Sequence, residues 1–271
     1  MDPLIALGVG LAAGAHTATW GMFKDAPYEG FTWLKYSRSI VLSGVIAVVL
    51  VSIADFDMSR AASMVVLFGL TYVIERAMTE FYKTFLREED QSKYFIPMQV
   101  AIRGRLVARR WQRWLLGAGY AVAVALIVLA ISALDDAGVD GLPAVLVVGS
   151  LGGWISAFGG AWKDAPLEGF QLLKFFRSPL VALTYALLLA ALTTDYVYFS
   201  MGALGYTIAT LETYKTFFKP NVPRGKFAGK EIRFPEMLTT RLRFVPLYVG
   251  IWIAVVVGFA VAFAQPHHGV I

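Results

Sequence analysis

Lys24-Asp25-Ala26-Pro27-Tyr28-Glu29-Gly30-Phe31 recurs as Lys163-Asp164-Ala165-Pro166-Leu167-Glu168-Gly169-Phe170, 139 positions later. The match continues through Leu34/Leu173, Lys35/Lys174, Arg38/Arg177 and Ser39/Ser178, so 11 of the 16 positions from Lys24 are identical. One chain therefore carries one unit twice, and the retained residues are mainly charged or backbone-shaping. Two further elements repeat. Glu80 and Glu212 each stand two residues before a Tyr-Lys-Thr-Phe, and Pro97, Arg103 and Arg105 return 138 positions on as Pro235, Arg241 and Arg243. Glu75 and Arg76 have no charged counterparts, which makes the halves chemically unequal at that point.

With 58% hydrophobic and 16% charged residues, and a mean hydropathy of +0.63, the chain is too apolar for a soluble protein of this length. Set against the ~20 residues that cross a bilayer, its apolar runs predict eight spans, at 3–22, 39–54, 61–78, 114–134, 142–162, 178–194, 196–213 and 244–264. Of the 24 Lys and Arg residues, 23 fall in the odd-numbered connections and only Arg60 lies on the other side. The positive-inside rule then places those connections in the cytoplasm and both termini outside, in a bacterial-type inner membrane. The inner face carries about +11 and the outer about −6, giving the formal +5. The absence of cysteine excludes disulfides and thiolate chemistry. The start, Met1-Asp2-Pro3, lacks the basic region of a cleavable signal peptide, so the first segment reads as an uncleaved span.

These readings predict an all-α integral membrane protein of two parallel four-helix repeats, residues 1–138 and 139–271, related by a pseudo-twofold axis along the membrane normal. Small residues Gly10, Gly14, Ala18 and Gly21 in the first helix match Gly149, Gly153, Ala157 and Gly160 in the fifth. Such a stripe lets two helices approach closely. Either these two helices meet at the axis, or each stripe seats a neighbour within its own half.

In the octapeptides, Asp25 and Asp164 are expected to cap the starts of the second and sixth helices, with Pro27 and Pro166 in the first turn and Glu29 and Glu168 at the positive end of the dipole. Capping does not account for Lys24, Gly30, Lys35, Arg38 and their twins. The candidate ligand-binding set is therefore Lys24, Asp25, Glu29, Lys35, Arg38, Lys163, Asp164, Glu168, Lys174 and Arg177, joined by Arg103, Arg105, Arg241 and Arg243 just before the fourth and eighth helices. Arginine suits bidentate recognition of phosphate or carboxylate. Arg109, Arg110 and Arg113 read as positive-inside background, and Pro220-Asn221-Val222-Pro223-Arg224-Gly225-Lys226-Phe227-Ala228-Gly229-Lys230 as a basic surface loop without P-loop spacing.

Inside the apolar cores of the spans His16 is the one acid-base side chain expected, with Glu75 and Arg76 placed where the third helix runs out of the membrane; His16 reads as a hydrogen-bonded packing residue, which argues against a proton relay and haem ligation. The expected function is transport or permeation of an anionic solute or phosphate-bearing lipid, without a cofactor. One alternative is a structural or lipid-binding subunit of a larger membrane complex. The other is an enzyme acting on a lipid phosphate, for which Asp25, Glu29, Asp164 and Glu168 would hold a divalent cation. The expected partners are anionic lipid headgroups and a further copy or complex subunit, not nucleic acid.

Overall fold

A computed structural model describes residues 2–138, 141–218 and 225–271. Residues 220–224 of the basic loop lie outside the described residues. The fold is all-α, with eight long helices among the described residues: α1 (Asp2–Glu29), α2 (Trp33–Ile53), α3 (Ala61–Phe81), α4 (Arg110–Asp136), α5 (Leu142–Glu168), α6 (Leu172–Ala190), α7 (Tyr196–Phe217) and α9 (Val245–Ala264). A short α8 (Met237–Thr240) and a 3-10 turn lead into α9, whereas a two-stranded hairpin, β1 (Ala101–Ile102) and β2 (Arg105–Leu106), precedes α4.

Among the described residues seven helical segments are long and apolar enough to cross a membrane, one fewer than expected, and α7 is the exception. Ser200, Thr207, Thr210, Glu212, Thr213 and Lys215 make it polar. It packs against α3, α5 and α6, and its buried face includes Tyr196, Phe199 and Tyr206. A helix enclosed by other helices need not present an apolar stripe to lipid.

Glycine decides which helices meet. A Cβ on Gly10 or Gly14 would lie 2.5 Å from the carbonyl oxygens of Ser43 and Ser39 in α2. One on Gly153 would lie 2.5 Å from Pro179 Cα in α6, and Gly149 faces Ala186. The small-residue stripes therefore seat α2 against α1 and α6 against α5, the within-half alternative. Gly21 and Gly160, at the ends of the stripes, have nothing within 4 Å. The closest backbone approach between the halves is instead between α3 and α7. A Cβ on Gly69 would sit 2.7 Å from the Gly202 carbonyl, and one on Gly205 would run into the Gly69 carbonyl.

The octapeptides end helices and do not begin them. Asp25, Pro27 and Glu29 lie in the last turns of α1, and Asp164, Pro166 and Glu168 in those of α5. The N-cap of α2 is Thr32, whose hydroxyl accepts from Lys35 N, and that of α6 is Gln171. Gly30 (φ +73°) and Gly169 (φ +80°) stop the two helices in the positive-φ conformation glycine tolerates. Capping thus explains the retained glycines after all, at the other end of a helix. Pro27 is compatible with this position because another group takes over its duty. It has no N–H for the Phe23 carbonyl four residues back, and Arg241 Nη1 donates to that oxygen at 2.7 Å, with its guanidinium 4.1 Å above the Phe23 ring.

Gly205→Ala should lose monodisperse folded protein, since overpacking an immobile backbone contact costs about 1–3 kcal/mol or more. Gly160→Ala, at an open position, should retain the wild-type melting temperature in detergent. Equal melting temperatures for both variants would refute the α3–α7 contact.

Candidate functional site

The C-terminal ends of α1, α3, α5 and α7 gather the retained charges at one end of the bundle. Lys24 Nζ of α1 lies 3.6 Å from Glu212 of α7, which also pairs with Lys215 at 2.9 Å. On α3, Glu80 pairs with Arg76 and, at 3.1 Å, with Lys83. Arg76 also stacks 5.1 Å from the Trp20 ring. The duplicated Glu-x-Tyr-Lys-Thr-Phe element is thus one acid and one lysine per half on neighbouring helices, although Tyr82–Leu86 is a π-helical turn and its twin in α7 is regular.

Acids at a helix C-terminus face the negative end of the dipole and need cations. Lys226 supplies them for the first copy, donating to Asp25 at 2.7 Å and to Glu29 at 3.4 Å, and Tyr94 Oη donates to Glu29 at 3.0 Å. In the second copy Lys174 pairs with Asp164 at 3.3 Å and Glu168 at 2.9 Å. Gly225 N donates to Glu168 at 3.0 Å, so two adjacent residues, Gly225 and Lys226, hold the two octapeptides. Phe227 anchors this segment by stacking on Tyr28, 4.3 Å between centroids.

Lys163 differs from its twin Lys24. Among the described residues no carboxylate lies within ion-pair reach of its ammonium, which donates to the Met98 sulfur at 3.7 Å. Glu80 and Asp164 act on it from further off, against Lys226 and Lys24. The reason is legible in the repeat. Lys24 pairs with Glu212, so Lys163 would pair with Glu80, but Arg76 and Lys83 already occupy that carboxylate. The α7 residue matching Arg76 is Ile208, which explains why Glu212 remains available to Lys24.

The other expected site residues stand apart. Lys35 and Arg38 are exposed beside Trp33 and Leu34 and form no ion pair among the described residues. Arg177 lies 5.7 Å from the Tyr214 ring. Arg241 is buried against Phe23, whereas its match Arg103 is exposed in the hairpin turn, so these two guanidiniums do not sit equivalently. Arg105 and Arg243 are exposed.

Two buried polar features enter from α3. Tyr72 Oη accepts from Trp20 Nε1 at 2.8 Å and meets His16 Nδ1 at 3.0 Å, while the His16 ring stacks on Tyr248 at 4.2 Å. Indole can only donate, so the Tyr72 hydrogen is free for His16 Nδ1. His16 is thus held as a packing residue. Glu75 was read as lying where α3 leaves the membrane, yet it is fully buried, and among the described residues neither carboxylate oxygen has a hydrogen-bond partner. Its missing counterpart in α7, Thr207, was the signal in the sequence.

Outside the spans, burial alone would raise the Glu89 carboxyl, but the hydrogen bond from Lys93 and the charges of Arg87 and Lys93 bring it below the usual range. Burial, reinforced by the Glu29 carboxylate, raises the Tyr94 phenol. A cavity of about 430 Å³ opens here, lined by Tyr28, Glu29, Lys93, Phe227, Lys230 and Arg233 among others. Among the described residues no three His, Asp or Glu side chains converge as metal ligands. No protein family, curated protein or solved structure matches the chain.

Lys226→Ala should destabilise the protein by an amount between the ~1 kcal/mol of an exposed pair and the ~3–5 kcal/mol of a buried one. It should also raise amide exchange at the ends of both α1 and α5; an effect confined to α1 would refute the bridging role. A depressed carboxyl stabilises above its unfolded value and loses that contribution as pH falls through the folded one. Exchange at the Met98 and Gln99 amides, which bond Gln91 beside Glu89, should therefore stay constant relative to the intrinsic rate through neutral pH and rise relative to it only below the ordinary glutamate range. A rise near neutrality would assign the stabilisation to another group.

Proposed function

We propose that the chain is a membrane transport or permeation protein for an anionic solute or a phosphate-bearing lipid, with its selective site at the charge-rich end. Its halves, 1–138 and 139–271, are on this reading parallel repeats about a pseudo-twofold axis along the membrane normal, placed between α3 and α7. Both termini then face outward from a bacterial inner membrane.

The observation that carries the reading is Lys163, a half-buried ammonium among helix ends with only a thioether as acceptor among the described residues. An anionic oxygen is a far better partner for an ammonium than sulfur is. The neighbouring carboxylates are already neutralised by lysine or arginine, so an arriving phosphate meets Lys163 without an equal opposing charge. The nearby cavity is lined by the cations Lys93, Lys230 and Arg233 and by the acids Glu29, Asp90 and Glu231, so it neither draws nor bars an anion by net charge. Exposed Lys35 and Arg38, beside Trp33, favour headgroup contact and keep a lipid-binding subunit as the second reading.

Purified protein in liposomes tests both sources of phosphate, one arm following release of trapped inorganic phosphate and the other dithionite bleaching of labelled phosphatidylglycerol. Lys163→Gln should cut the active arm by about tenfold, the worth of one charge-assisted hydrogen bond. Arg76→Ile should also lower flux, because Glu80 becomes available to Lys163. No wild-type flux in either arm sinks the transport reading, and unchanged flux in Lys163→Gln removes that residue's role.

A further inference from the structure

The hairpin before α4 creates a second feature of a different kind. Its two-residue turn places Arg103 (φ +51°) and Gly104 (φ +76°) at positive φ, the conformation of a tight hairpin turn. Trp162 Nε1 donates to Ala101 O at 3.0 Å, Val100 N donates to Thr84 O at 3.0 Å, and a Cβ on Gly104 would lie 3.7 Å from Pro166. These contacts fix the hairpin against α5 and the end of α3. A groove of about 510 Å³ runs along it to the first turns of α4.

The groove has a chemical gradient. Arg105 and Gln112 supply its polar lining, and Leu106, Trp111, Leu115 and Leu116 much of the apolar remainder. Trp111 and Leu115 are 59% and 66% exposed, so they are open to an occupant from the side. Arg103, Arg109 and Arg110 flank the polar end, all exposed; Arg110 stands 3.9 Å from Glu88 and 4.5 Å from the Trp114 ring. Among the described residues no acid lines the groove. Because α4 leads away from the charge-rich end into its apolar span, the leucines lie on the bilayer side of the arginine.

We propose that this groove binds an anionic glycerophospholipid, with its phosphate on Arg105 and the first part of one acyl chain along Trp111, Leu115 and Leu116. Charge complementarity selects this occupant. A free phosphate would leave the apolar wall unused, and a zwitterionic lipid would bring a cation among the arginines. Lys163 does not line the groove, and the proposal is independent of whether anything is transported.

Full-length protein in detergent, mixed with equal amounts of phosphatidylglycerol and phosphatidylcholine, gives the bound-lipid ratio by native mass spectrometry, without any flux measurement. Phosphatidylglycerol should dominate, and Arg105→Gln should reduce that preference about fivefold, the effect of one basic residue on an anionic lipid. Ala108→Trp, which fills the groove, should remove the retained lipid whatever its headgroup. Quenching by brominated phosphatidylglycerol should shrink in Trp111→Phe, a check that does not depend on the stability of the other variants. Equal retention of the two lipids, or a preference that survives both Arg105→Gln and Ala108→Trp, overturns the proposal and leaves only diffuse attraction to the basic face. Loss of this preference with intact phosphate flux would separate its failure from that of the transport reading.

Discussion

The close passage of α3 along α7 is the constraint on which the rest depends. Gly69, Gly202 and Gly205 leave no side chain between the two backbones, so the helices meet at main-chain distance. In a bilayer, where apolar surface gains little by leaving lipid for protein, such contact is a principal source of helix association. It also fixes chemistry. With the helices this close, Glu80 and Glu212 emerge at the same end, and Lys24, Arg76 and Lys83 can neutralise them. A side chain inserted at Gly205 would therefore disturb the charge cluster as well as the packing.

The recurring motifs make the cluster look symmetric, and one residue prevents it from being so. Arg76 claims Glu80, whereas Ile208 leaves Glu212 to Lys24, and the result is an ammonium at Lys163 with no carboxylate among the described residues. The chain keeps the same lysine in both copies but gives it two environments. Differences between repeats are as informative here as identities.

The helical membrane architecture was legible because it rests on length and hydropathy. The small-residue stripes were legible as contact surfaces, though not their partners, since periodicity names a face and not its neighbour. The octapeptide was assigned to the start of a helix because proline and aspartate favour starts. What reverses this is Arg241, whose bond to the Phe23 carbonyl joins residues far apart in sequence. Glu75 was misplaced for a related reason: a carboxylate near the end of an apolar run looks solvated until the surrounding helices are in place. Polar α7 shows the converse, as enclosure by protein removes the need for an apolar exterior.

Almost everything that completes the end of α1 comes from late in the chain. Lys226 neutralises Asp25 and Glu29, Arg233 and Phe234 donate their amides to the Pro27 carbonyl, and Arg241 takes the carbonyl of Phe23. During synthesis the first helix therefore forms with an open carbonyl and unneutralised acids at its C-terminal end. It waits for some two hundred further residues before those groups are satisfied. Assembly thus closes like a clasp, with the closing piece made last, and a chain halted before residue 226 would have α1 to α7 but neither α9 nor the groups that complete its first end.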